Sequence, residues 1–114
     1  MESTNTRQQK IAKQIQKDVA GIIQREYSVA LRGTLVTVTT VRVSVDLAYA
    51  KIYVSVFPFD RAEATLALLT EQNRAIRGLL GNLMRNQVKS IPELQFFIDD
   101  SLEYIENIDN LLNK

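Results

Sequence analysis

Arg74, Arg77, Gly78, Gly81 and Arg85 recur along a stretch whose apolar residues, Ile76, Leu79, Leu80, Leu83 and Met84, stand at helical spacing. On a helix the apolar set makes one face, and the arginines and glycines lie on the other. A cationic face nearly bare of side-chain bulk suits a polyanion, because guanidinium groups pair with phosphate and glycine permits close approach. Each interior glycine costs about 1 kcal/mol relative to alanine, so two in one helix call for a reason. Packing against a neighbouring element of the same domain would be as good a reason as a ligand. A second cationic set, Arg7, Lys10, Lys13 and Lys17, is spaced by three, three and four residues, which puts it along one side of another helix. Asp18 is the only acid between Arg7 and Arg25. Such a stripe can contact phosphates with release of counterions; its plain alternative is a solvated face.

Other chemistry is thinly represented. The 114 residues contain no histidine and no cysteine, which removes the commonest general base, the commonest metal ligand, and any disulfide or thiolate site. Ser44 and Asp46 therefore read as turn residues that bond their own backbone, not as a catalytic pair. Asp99, Asp100 and Glu103 could hold Mg²⁺, but capping of a following helix explains them more simply. Gly78-Leu79-Leu80-Gly81 matches the GxxG of KH domains, which clamps a nucleic-acid backbone from a loop. Here Leu79 and Leu80 belong to an apolar helical stripe, so the four residues read as helix. Tyr49, Tyr53, Phe57 and Phe59 surround a hairpin and could stack on bases, although strand alternation must send some of them inward. No catalytic or metal site is expected.

These residues need elements to hold them. Residues 7 to about 27 read as a helix with Ile11, Ile15, Val19, Ile22 and Ile23 on its core face. A loop with Gly33 leads to a strand over 35–43, rich in Val and Thr with a period of two. A second strand, 50–57, puts Ile52, Val54 and Val56 on one side and Lys51, Tyr53 and Ser55 on the other, which predicts an antiparallel hairpin. Pro58 ends it. Asp60 and Glu63 have capping-box spacing ahead of a helix to about 72, and the glycine-bearing helix runs to about 86. Pro92 opens a short strand, 93–98, and Asp100 with Glu103 precedes a last helix to about 112. The order α-β-β-α-α-β-α predicts a single α+β domain over 1–114, with 1–6 a flexible tail and the helices on one face of a three-stranded sheet.

Composition agrees. Leu, Ile, Val and Phe number 37, enough for one core. Residues 1–56 carry eight basic and four acidic groups, 57–114 carry six and nine, and 93–109 carry six acids with no base. The basic side is the plausible nucleic-acid surface. The polar start and the lack of a long apolar run predict a soluble, cytoplasmic protein without membrane contact.

The ordered set Arg7, Ile11-Ala12, Ile15, Val36-Thr37-Val38-Thr39, Val41, Val43-Ser44, Asp46-Leu47, Ala50-Lys51-Ile52-Tyr53-Val54-Ser55-Val56, Ile76-Arg77, Leu80, Ile91-Pro92-Glu93-Leu94, Phe96, Asp99 and Ser101 resembles the bacterial ribosome-binding factor A family. The resemblance covers residues 7 to about 112. It implies a type II KH-like fold and a binding factor, not an enzyme. It further implies attachment to the immature small (30S) subunit and its 16S rRNA, help with rRNA 5′-end processing, and support of growth in the cold. The family's Ala-x-Gly helix kink falls on Gln72-Asn73-Arg74 here, its hairpin Ser-Pro-Asp on Ser44-Val45-Asp46, and its Asp-Pro-Arg is absent around Val29-Ala30-Leu31. The expected RNA contacts are Arg7, Lys10, Lys13, Lys17, Lys51, Asn73, Arg74, Arg77, Arg85 and Lys89, without cofactor or small-molecule substrate, on a chain that is monomeric when free. The alternative from another class is a protein–protein adaptor or homo-oligomeric module using the hairpin edge or the glycine-bearing face.

Overall fold

In the computed structural model, which describes residues 6–100, helix α1 (Thr6–Glu26) buries Ile11, Ile15, Val19, Ile22 and Ile23 along one stripe and leaves Arg7, Lys10, Lys13 and Lys17 exposed. Each buried aliphatic side chain is worth about 1.5–3 kcal/mol, so the stripe fixes which side of the helix meets the sheet. The same stripe buries Gln8, whose Nε2 donates to the Val43 carbonyl at 3.0 Å. Gln16 Nε2 donates to the carbonyls of Val38 and Thr39 at 3.1 and 3.3 Å. These acceptors lie on strand β1 (Leu35–Val43), an edge strand, so α1 is tied to a sheet margin that would otherwise be open.

Strand β2 (Tyr49–Phe57) is central, antiparallel to β1 and parallel to β3 (Glu93–Ile98). The β1–β2 ladder is not a plain two-residue alternation. Its register shifts between Val38 and Thr40, leaving Thr39 as an extra residue. The shift explains why the valines change phase, from 36 and 38 to 41 and 43: Val38 and Val43 are both buried, on either side of the bulge.

Ser44 and Asp46 shape the hairpin loop as turn residues. Ser44 Oγ donates to Asp46 Oδ1 at 2.7 Å and accepts from the backbone N–H of Ala48 and Tyr49. The serine's bond first, and second the Ala48 N–H, which also donates to Asp46 Oδ1 at 3.1 Å, hold the Asp46 carboxyl below the usual carboxylate range. Leu47 takes a φ of 61°, the left-handed conformation that closes the loop.

The expected capping box does not form. Asp60 lies inside a 3₁₀ turn, Phe59–Arg61, and helix α2 (Ala62–Glu71) starts from Arg61 without a side-chain cap. The extended residue before the helical path is Pro58, with φ −71° and ψ 157°. Asp60 is thus already helical, too late to act as an N-cap; it sits in the first turn, where a carboxylate suits the helix dipole. Helix α3 (Asn73–Met84) follows, and buries Ile76, Leu80 and Met84. Leu83, expected in the core, is 49% exposed, beyond the edge of that stripe. Gly78 to Gly81 lie within this helix, so the GxxG match is not a clamp loop.

The helices share one face of the sheet: α1 packs on β1 and α3, α2 on β2 and β3, and α3 on β3. The last helix expected after Asp100, with Glu103, lies outside the described residues; so does the tail expected over 1–6, except Thr6, which is not tail but the first residue of α1. No described helix is long and apolar enough to cross a membrane.

Candidate nucleic-acid interface

The joint between α2 and α3 is Gln72, whose φ of −90° and ψ of 7° interrupt the helical path for one residue. Three side chains fasten it. Tyr27 Oη donates to Gln72 Oε1 at 3.1 Å, linking the end of α1 to the joint. Partial burial, and secondarily the charge of Glu26, raises the Tyr27 phenol above its ordinary value, which keeps it a donor. Asn73 Nδ2 donates to the Leu94 carbonyl at 2.8 Å, and Arg77 Nε to the Pro92 carbonyl at 3.1 Å, with a further bond from Arg77 Nη2 to the Ile91 carbonyl. The joint and the first turn of α3 are thus bound to the chain entering β3.

A cleft of about 770 Å³ opens beside this joint, lined by Thr70, Glu71, Asn73, Arg74, Arg77, Gly78, Ile91, Glu93 and Leu94. Two cations and two acids share it. Arg74 is exposed and has no bonded partner among the described residues, whereas Arg77 is held by two carbonyls. The two glycines separate in role. A Cβ on Gly78 would meet nothing within 4 Å, so the residue leaves open space on the cleft wall. A Cβ on Gly81 would stand 3.5 Å from Ile91 Cγ1, an ordinary packing contact inside the domain.

The ten expected contact residues therefore do not form one site. Asn73, Arg74 and Arg77 meet at the cleft, and Arg85 and Lys89 are exposed just beyond the end of α3. Arg7, Lys10, Lys13 and Lys17 run along the outer side of α1. Lys51 lies apart, on the sheet face that no described helix covers. Glu71 and Glu93, which also line the cleft, were not foreseen from the sequence; Glu93, next to Pro92 at the head of a strand, was the one with a local cue. Asp99 Oδ2 accepts from Thr39 Oγ1 at 2.7 Å; no group of three potential metal ligands occurs among the described residues, and Glu103, the third acid considered, lies outside them.

A three-stranded sheet with helices on one face, and a one-residue helix joint where a clamp loop would stand, defines a KH-like α+β domain. The family model Ribosome-binding factor A matches residues 7–112, and the chain belongs to the ribosome-binding factor A family. It is 42% identical over 110 residues to the ribosome-binding factor A of Christiangramia forsetii, covering 96% of this chain and 83% of that one. With the Flavobacterium johnsoniae protein of the same name the identity is 41% over 107 residues, covering 93% and 82%. Among solved structures, the crystal structure of ribosome-binding factor A from Thermus thermophilus superposes with a TM-score of 0.67 at 26% identity, over 80% of this chain and 94% of that one. A homology model of the Thermus thermophilus factor, fitted into a cryo-EM map of a 30S complex, gives 0.61 at 27% identity, over 78% and 91%.

Proposed function

We propose that this protein binds the immature small (30S) ribosomal subunit through its 16S rRNA and assists subunit maturation, including processing of the rRNA 5′ end. Family membership and the relative fitted into a 30S complex support the partner. The observation that carries the contact surface is the set of exposed cations, Arg7, Lys10, Lys13, Lys17, Arg74, Arg85 and Lys89, none bonded to an acid among the described residues. Uncompensated cations on one helix and beside a cleft are what phosphate contacts need. Asn73 and Arg77 belong to the same site in a second role. They hold the joint in shape while Arg77 adds positive charge to the cleft wall. Lys51 joins from the other face. The protein acts by occupying and shaping rRNA and not by catalysis, as a cytoplasmic monomer when free, and leaves as the subunit matures.

Titrating small subunits with the protein at rising salt tests this. Charge reversal at Lys13, Lys17, Arg74 and Arg85 together should weaken binding and reduce the slope of log affinity against log salt by about three, at roughly 0.7–0.9 per lost phosphate contact. Affinity indifferent to both salt and charge reversal would sink the proposal. A stable dimer whose interface covers Arg74 would favour the homo-oligomeric reading instead.

A further inference from the structure

The sheet face turned away from the described helices is not a bland solvated surface. Cross-strand register sorts it into rows. Arg42, Lys51 and Gln95 occupy one row, and Thr40, Tyr53 and Phe97 the next, while Tyr49 stands beside Glu93 at the near margin. The rings of Tyr53 and Phe97 stack at 5.3 Å between centroids and 26° between planes. Phe97 is 37% exposed and Tyr49 49%. Arg42 and Lys51 stand directly opposite each other, and aromatic rings occupy the rows on either side, Tyr49 on one and Tyr53 with Phe97 on the other. Cations beside exposed, already stacked rings match the chemistry of unpaired nucleotides, whose phosphates need positive charge and whose bases stack on any π face. Among the described residues, the acids on this face stand at its margin, Glu93 next to Tyr49 and Asp99 bonded to Thr39.

We infer that this face is a second RNA-contacting surface, specific for unpaired bases: Tyr53, Phe97 and Tyr49 supply the stacking planes, and Lys51 holds the adjoining phosphates. The inference rests on the rRNA-binding reading and adds to it the kind of RNA taken, single-stranded and not helical. The cleft and the α1 stripe contact backbone; the sheet face reads exposed bases.

The test uses the full chain and a short unstructured RNA carrying 4-thiouridine. Photocrosslinks mapped by peptide mass spectrometry should fall within 49–53 and 95–98, and should fade when the same RNA is annealed to its complement. Tyr53→Thr with Phe97→Thr, which keeps residues suited to strands, should weaken single-stranded binding about tenfold or more. Should the double variant fail to fold, Phe97→Thr alone carries the comparison. Crosslinks confined to α1 and α3, or threonine variants that fold and bind RNA undiminished, would overturn the inference. If small-subunit binding is still lost on reversing Lys13, Lys17, Arg74 and Arg85, the function stands and only this surface falls. Loss of subunit binding by the threonine variants without any RNA adduct on this face would point to a protein occupant, and would also overturn it.

Discussion

Replacing Gly78 by alanine should make the free protein more stable and its hold on the small subunit weaker. Gly78 lies in the interior of α3, where glycine costs about 1 kcal/mol relative to alanine. No steric term offsets the gain, because a Cβ there meets nothing within 4 Å. For a domain of this size about 1 kcal/mol corresponds to a melting point higher by about 4 °C. The new methyl would project from the wall of the cleft that holds Arg74. If an RNA backbone lies against that wall, the methyl overpacks the contact by about 1–3 kcal/mol, which is roughly five- to a hundredfold in affinity. Thermal unfolding read by circular dichroism and a filter-binding titration on purified small subunits give the two numbers. Gly81→Ala is the control. Its Cβ would lie 3.5 Å from Ile91 Cγ1, so it should also gain stability, yet leave binding unchanged. Higher melting with undiminished binding for Gly78→Ala would refute close approach at this glycine. A lower melting point would refute the claim that the space is open.

Three further outcomes follow from the same geometry. Asn73→Ala should lower stability by about 1 kcal/mol or somewhat more in urea unfolding, since it leaves the Leu94 carbonyl without its amide donor. Arg77→Met should lower the melting point, and Arg74→Met should not, because only Arg77 is bonded to carbonyls; both should weaken subunit binding through the lost charge. In an NMR titration Asp46 should ionise below the usual aspartate range. Its folded-state value is depressed, so its contribution to stability is present at neutral pH and is lost as pH falls through that depressed value; Ser44→Ala should move the midpoint back up.

Much of the fold was legible because period and punctuation agreed. The stripe of Ile11, Ile15, Val19, Ile22 and Ile23 and the strand limits at 35–43 and 93–98 emerge as expected, the strands being flanked by Gly33 and Pro92. What escaped was set by tertiary partners. Asp60 has cap spacing, but the chain is already helical after Pro58. Leu83 has the right period but lies where α3 has no neighbour to cover it. The bulge at Thr39 was written in the phase change of the valines, a signal a strict two-residue template passes over. The site was legible as charge but not as geometry. Spacing alone put Arg74 and Arg77 on one face; only the carbonyls of Ile91 and Pro92, brought in by the parallel pairing of β3, distinguish a bound arginine from a free one.

The joint departs from the expected Ala-x-Gly and still interrupts the helix at Gln72. An Ala-x-Gly joint would loosen a helix through the backbone freedom of its glycine, whereas Gln72-Asn73-Arg74 contains no glycine. Here the break is held by hydrogen bonds instead: Gln72 accepts from Tyr27, and Asn73 reaches the outward carbonyl of Leu94. Each of these bonds joins the joint to an element far away in sequence, the end of α1 or the start of β3. A joint made by small residues would survive loosening of those contacts. One made by long-range bonds opens when they open. Its geometry, and with it the position of Arg74 and the bare wall at Gly78, therefore depends on the docking of β3 and of the turn after α1. Tyr27→Phe should expose that dependence, since it removes only the bond to Gln72. Amide exchange at residues 72–75 should quicken while exchange in the β1–β2 hairpin stays as it was. Equal protection at the joint in both proteins would show that the break is intrinsic to the chain and needs no such fastening.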